Sequence, residues 1–113
     1  MNRDKAPKFK SKLIEESDSD SDLSIVPVEA YLDALEMYIE AYKVMGNDVS
    51  KSMKAIYFSK AVLAYLDVEN KDMVKSSKKL ALTTLSEVVT TFESSEVHIS
   101  KAAKLVIEAL KTI

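Results

Sequence analysis

After Pro27 the chain contains no further proline, and its single glycine is Gly46. Proline interrupts helices because it removes a backbone donor, and glycine weakens them because it gains more freedom on unfolding. Apolar residues recur at helical spacing throughout residues 28–113. The sequence therefore predicts an all-α fold for this part of the chain.

Short polar breaks divide this stretch into four predicted helices, at about 27–45, 49–68, 72–92 and 96–112. Pro27 suits a first helical turn, and Gly46 suits the left-handed conformation that ends many helices. The candidate N-caps are Asn47 or Asp48 for the second helix and Ser94 or Ser95 for the fourth. Because connections this short make neighbouring helices antiparallel, we expect residues 26–113 to form an antiparallel four-helix bundle.

Residues 1–25 have a different composition. They begin with five basic residues and continue as an acidic run of Glu15, Glu16, Asp18, Asp20 and Asp22, interleaved with serines. Few apolar side chains are present to offset the entropy lost on ordering. We therefore expect a disordered tail, basic and then acidic, in front of one helical interaction domain.

The first predicted helix is apolar around most of its circumference. Its acids share one narrow face, at Glu29, Asp33, Glu36 and Glu40. One core contact requires an apolar stripe of only ~100°, so we expect this helix to have partners on more than one side. The acidic face is either solvated or meets lysines of a partner subunit.

The remaining helices are interpreted by their apolar faces. The third and fourth are ordinary amphipathic helices with the predicted core stripes Val74, Ala81, Leu85, Val88, Phe92 and Ile99, Ala102, Val106, Leu110, Ile113. The second is predicted to use Met53, Ile56, Tyr57, Ala61, Ala64 and Val68 for its core, which leaves a further apolar side. From these surplus faces we predict a partner interface formed by Leu32, Ile39, Phe58, Val62 and Tyr65.

Composition argues against several classes of function. The chain has no cysteine and only one histidine, His98, for which we expect a surface or capping role. With one glycine it has no phosphate-binding loop, and its net charge of −2 does not favour nucleic acid as the main ligand. No apolar run is long enough to span a bilayer. We expect a non-enzymatic protein–protein interaction module without metal, cofactor or membrane span.

The stretch from Tyr31 to Glu40 resembles the Y-x-D-A-x-x-x-[FY]-I-E pattern of the C-terminal homology domain of AFF-family proteins, the scaffolds of transcription super elongation complexes. Lys51-Ser52 followed by Ile56-Tyr57 is similar to the start of that family's next helix. The resemblance covers about residues 30–66. It implies a nuclear, all-helical domain that homodimerises or heterodimerises scaffold chains. The family domain has additional helices on both sides of the matched region.

A second resemblance leads to an alternative function. Gly46-Asn47 followed by the segment Ala55 to Ala61 looks like the second helix of MIT (microtubule-interacting and trafficking) domains. Those domains are three-helix bundles that bind tails of ESCRT proteins, whereas this chain has a fourth predicted helix. The resemblance implies a monomeric adaptor that holds a partner peptide or helix in a groove between two helices.

A short linear motif precedes the first helix. Leu23, Ile25 and Val26 follow the acidic run and resemble a SUMO-interaction motif, whose apolar residues add a strand to a partner's sheet edge. The alternative is a hydrophobic staple, in which Ile25 or Val26 packs on the first helical turn. Ser17 and Ser19 each have an acid three residues on, and we predict them as phosphorylation sites.

Overall fold

The computed structural model describes residues 26–113, and these residues form four α-helices. The helices are α1 (Val26–Val44), α2 (Ser50–Asp67), α3 (Lys71–Phe92) and α4 (Val97–Lys111). Every helix boundary lies within one residue of the predicted position, and the all-α antiparallel bundle is confirmed. The predicted tail, with the phosphorylation candidates Ser17 and Ser19 and the motif residues Leu23 and Ile25, lies outside the described residues.

The turns between the helices lie at the polar breaks that were predicted from the sequence. Gly46 has a φ of 92°, and its N–H donates to the carbonyl of Lys43 over 2.9 Å. Asn70 caps α3, because its side-chain oxygen accepts from the backbone N–H of Met73 over 3.2 Å. The predicted caps of α2 and α4 were wrong: the N-cap position of α2 is Val49, not Asn47 or Asp48, and that of α4 is Glu96, with Ser94 and Ser95 in the turn.

The four helices pack in ring order. The largest interface joins α2 to α3, followed by α3 to α4 and α1 to α4, and the contact between α1 and α2 is the smallest of the four around the ring. The rings of Tyr42 and Phe92 meet edge to face, 5.2 Å apart, and join the C-terminal ends of α1 and α3. The helix α1 is therefore held mainly by α4.

The core takes one face from each helix. Val28, Leu32, Leu35 and Ile39 recur at intervals of three and four, and they turn one face of α1 inward. The predicted stripes of α3 and α4 are confirmed, with half-buried residues only at Val74 and Ile113. Each helix thus faces the core with one side, and the apolar residues on its other sides lie outside the core.

The helix α2 faces the core with a different side from the one predicted. Its buried residues are Ser52, Ala55, Ile56, Ser59 and Val62. Of the predicted stripe, Tyr57, Ala64 and Val68 are exposed. Small side chains occupy the inward positions because they let α2 lie close against α3, where Ser77 and Ala81 are also buried. The buried hydroxyl of Ser59 donates to the carbonyl of Ala55 over 2.7 Å, so this hydroxyl is paired within its own helix.

We predict that Ser59→Leu lowers the free energy of unfolding by about 1–3 kcal/mol, because the larger side chain overpacks the close contact between α2 and α3. Ser59→Ala is the matched control, since it keeps the small volume and removes a hydroxyl that only bonds within its own helix. Its cost is expected to stay within about 1 kcal/mol. Urea unfolding followed by circular dichroism measures both values. Equal losses in the two variants would contradict the close contact.

A second prediction concerns the turn before α2. The hydroxyl and the backbone N–H of Ser50 both donate to Asp48, and these bonds hold the pKa of that carboxyl below its ordinary value of 3.8. A lowered pKa stabilises the fold above the unfolded-state value, and the contribution is lost as the pH falls through the folded-state pKa. We expect Asp48→Asn and Ser50→Ala to destabilise the protein at neutral pH more than near pH ~3. Unfolding curves at both pH values test this, and a loss independent of pH would count against the bond.

Candidate interaction surface

The five residues predicted to contact a partner lie at different depths. Leu32, Ile39 and Val62 are enclosed in the core of the single chain. Phe58 and Tyr65 are half-buried, and Phe58 packs against the core. A partner that docks on the folded chain does not reach the first three side chains, because the chain's own helices cover them. Contact through Phe58 and Tyr65 stays a prediction.

The outward side of α1 carries the apolar residues that the core leaves over. We call Met37, Tyr38, Ala41, Val44 and Met45 the outer stripe. The first four are spaced by three, four and seven residues and so share one side of α1, and Met45 follows them in the turn. Val44 is 86% exposed, Met45 66% and Met37 63%. Isolated exposed apolar residues are ordinary on protein surfaces, but a contiguous set of large ones marks an interaction site.

The outer stripe continues onto α4. The ring of Tyr38 lies 5.7 Å from the ring of His98, near the start of that helix. Leu105 follows His98 at a spacing of seven residues, on the same side of α4, and it is also exposed. His98 is itself exposed, 3.7 Å from a carboxylate oxygen of Glu96, as expected for a surface histidine. Because α1 and α4 are antiparallel, Leu105 is level with about Tyr31 and lies ~9 Å beyond Met37 along the helix axis, so the stripe continues onto α4 only at His98.

Charges of opposite sign border this face. The acidic side of α1 borders it toward α2, where Glu36 accepts a hydrogen bond of 3.0 Å from Lys60. The other acids of that side, Glu29, Asp33 and Glu40, are exposed. Beyond the other edge, the outward side of α4 carries the exposed lysines Lys101, Lys104 and Lys111. The acidic border and the basic border thus lie on opposite sides of the outer stripe.

A second exposed apolar set lies on α2. Tyr57, Ala64 and Val68 share its outward side, and the ring of Tyr57 stacks edge to face on Phe58. This set contains only two large side chains, and they are eleven positions apart along the helix. It is therefore smaller than the outer stripe of α1.

Two grooves open at opposite ends of the bundle. One of about 710 Å³ lies between the start of α2 and the end of α3, lined mainly by serine and threonine with Asp48, Lys51 and Glu87. The other, of about 620 Å³, lies where α2 ends and α3 begins. Among residues 26–113, no three His, Cys, Asp or Glu side chains cluster in a way that would hold a metal ion.

None of the four described helices is long and apolar enough to cross a membrane. In the comparisons with known proteins, no protein-family model, no curated protein and no solved structure matches this chain. Its surface is therefore interpreted from its own residues.

The residues of the outer stripe follow from knowing which residues of α1 face the core. The sequence showed that α1 has more apolar surface than one contact needs, and the exposed outer stripe confirms this surplus. It did not show which residues were surplus. The spacing of Val28, Leu32, Leu35 and Ile39 is the signal that separates them, because this line of branched side chains faces the core and leaves Met37, Ala41 and Val44 on the other side.

Proposed function

We propose that this protein is a self-association module, in which the outer stripe of α1 packs against the same stripe of a second copy. The observation that supports the proposal most is the exposure of Met37 and Val44 on one side of α1 and of Met45 in the turn that follows it. Burial of these side chains removes apolar surface from water, which is the main favourable term in association. A standard-size interface of ~800 Å² per partner would also include the borders of the face.

The charged borders favour one orientation of the two copies. A two-fold axis that runs parallel to α1 places the two α1 helices parallel. The acidic border of each copy then lies opposite the lysines of the other. A two-fold axis in the interface plane and perpendicular to α1 makes the helices antiparallel. It places the acidic borders of the two copies opposite each other, and their repulsion costs free energy. We therefore propose a parallel pair in which each stripe residue contacts its own counterpart.

The biological setting is proposed from the resemblance of residues 30–66 to the AFF C-terminal homology domain. By this proposal the module joins scaffold chains of the transcription elongation machinery in the nucleus, either two copies of this chain or this chain and a related one. The role is non-catalytic. A heterodimer with a related chain would use the same face of α1, because that face presents the exposed apolar residues.

The alternative is a monomeric, MIT-like adaptor that binds a partner peptide between helices. The groove of about 710 Å³ between the start of α2 and the end of α3 favours it. The large apolar residues of its lining, Val88 and Phe92, are themselves buried in the core, so the groove offers few apolar anchors, which are the residues that dominate binding energy. Self-association is therefore the leading proposal, and the mass of the protein in solution separates the two.

We predict that Met37→Glu and Val44→Glu each raise the dissociation constant of the dimer about tenfold or more, because each places a charge in the centre of the apolar face. Neither side chain belongs to the core, so circular dichroism should show an unchanged fold. Val68→Glu is the matched control, since Val68 is 66% exposed on α2. Sedimentation equilibrium measures the effect. A wild-type protein that is monomeric at ~50 μM would refute the proposal, as would equal effects of Val44→Glu and Val68→Glu.

The orientation has its own test, because the chain contains no cysteine. Met37→Cys and Val44→Cys proteins are prepared separately, mixed and oxidised gently. The two positions are ~10 Å apart along α1, and a disulfide forms only where Cα atoms approach within ~7 Å. A parallel pair gives 37–37 and 44–44 disulfides, which mass spectrometry distinguishes from the mixed product. Predominance of the 37–44 disulfide would show that the pair is antiparallel.

A further inference from the structure

A groove of about 620 Å³ lies at the junction of α2 and α3, beside the C-terminal end of α4. The half-buried side chains of Leu66, Val74 and Ile113 form its apolar floor.

The rim of this groove is basic. Lys71, Lys75 and Lys78 come from the first two turns of α3, and Glu69 contributes the one acidic side chain of the lining. An apolar floor with a basic rim fits a segment that carries apolar residues next to several acids. Apolar contact then supplies binding energy, and the lysines select for negative charge.

The start of α1 lies close to this groove. The contact between Tyr38 and His98 sets the register of the antiparallel helices α1 and α4. Val26 lies twelve residues before Tyr38 on α1, and Leu110 lies twelve residues after His98 on α4. Because the two helices are antiparallel and rise equally per residue, Val26 is level with about Leu110, near the C-terminal end of α4. The chain that precedes Val26 therefore enters the bundle beside the end of α4, where the groove opens.

The segment that enters there has the matching chemistry. Residues 15–22 carry five acids, and Leu23 and Ile25 follow them directly. We propose that this segment of the same chain docks in the groove, with Leu23 on the apolar floor and the acids against Lys71, Lys75 and Lys78. Leu23 is three residues before Val26, and three extended residues reach ~10 Å, about one helix diameter, which is the width of the end of α4 that the segment has to cross. The contact is independent of self-association.

Disulfide trapping in the otherwise cysteine-free chain tests this contact. The full chain carrying Leu23→Cys and Lys75→Cys is oxidised in dilute solution and followed as disulfide-linked monomer. The matched control carries Leu23→Cys and Lys111→Cys. Lys111 is exposed at the same end of the bundle but belongs to the outward side of α4 and not to the groove. We expect the position-75 disulfide to form several times faster than the position-111 disulfide.

The charge contribution is tested in the same assay. Reversal of the acids with Asp18→Lys, Asp20→Lys and Asp22→Lys is expected to slow the position-75 disulfide severalfold, and added salt is expected to slow it in the unreversed chain. These acids lie outside the helical domain, so the reversal leaves the bundle folded. Equal rates at positions 75 and 111 would overturn the proposal, because chain proximity alone would then explain both. Insensitivity to charge reversal, or disulfide-linked dimers in place of monomers, would also overturn it.

Discussion

The packing of α1 decides which of its apolar side chains are buried, because the other helices of the bundle cover only part of its surface. Val28, Leu32, Leu35 and Ile39 turn one face of that helix into the core, and its adjoining side contacts His98 of α4 through Tyr38 and Phe92 of α3 through Tyr42. The contact with α2 is slight. Apolar residues on the remaining side, above all Val44 and Met45, have no helix of the described domain to pack against. The free energy of their exposure is the physical reason to expect a second polypeptide on this face.

Helix positions could be predicted from the sequence because local chemistry fixes them. Gly46 adopts the left-handed conformation that was expected of it, and Asn70 caps α3 through its side chain. The core faces of α3 and α4 could be predicted as well, since apolar residues recur along one side of each at intervals of three, four and seven. These features depend on residues close together in the chain, so no knowledge of tertiary packing was needed.

The inward face of α2 could not be predicted from hydrophobicity, because close packing against α3 selects size in preference to apolar character. Ser59 is fully buried with its hydroxyl bonded within its own helix, whereas the larger and more apolar Tyr57 is 68% exposed. The same error placed Val62 in the predicted interface. A prediction from hydrophobic periodicity places the largest apolar residues in the core. It fails for α2 because small Ser and Ala side chains occupy the contact between α2 and α3.

The two proposed contacts use opposite ends of the domain and different forces. The outer stripe is broadest toward the C-terminal end of α1, at Val44 and Met45, and relies on apolar burial. The groove near Lys75 lies at the other end and combines an apolar floor with lysines. Phosphates on Ser17 and Ser19 would strengthen only the second contact, because they add negative charge to the segment that faces the lysines. Self-association and docking of the acidic segment can therefore change independently.

The central claim is that the outer stripe is covered by another copy of the chain. Isotope-filtered NMR on a mixture of labelled and unlabelled protein tests it directly, because only contacts between copies give signal. The account predicts intermolecular NOEs from the methyl groups of Met37, Val44 and Met45 to the same residues of the other copy. Intermolecular NOEs confined to Tyr57 and Val68 on α2, or none at a concentration where the mass is dimeric, would contradict it.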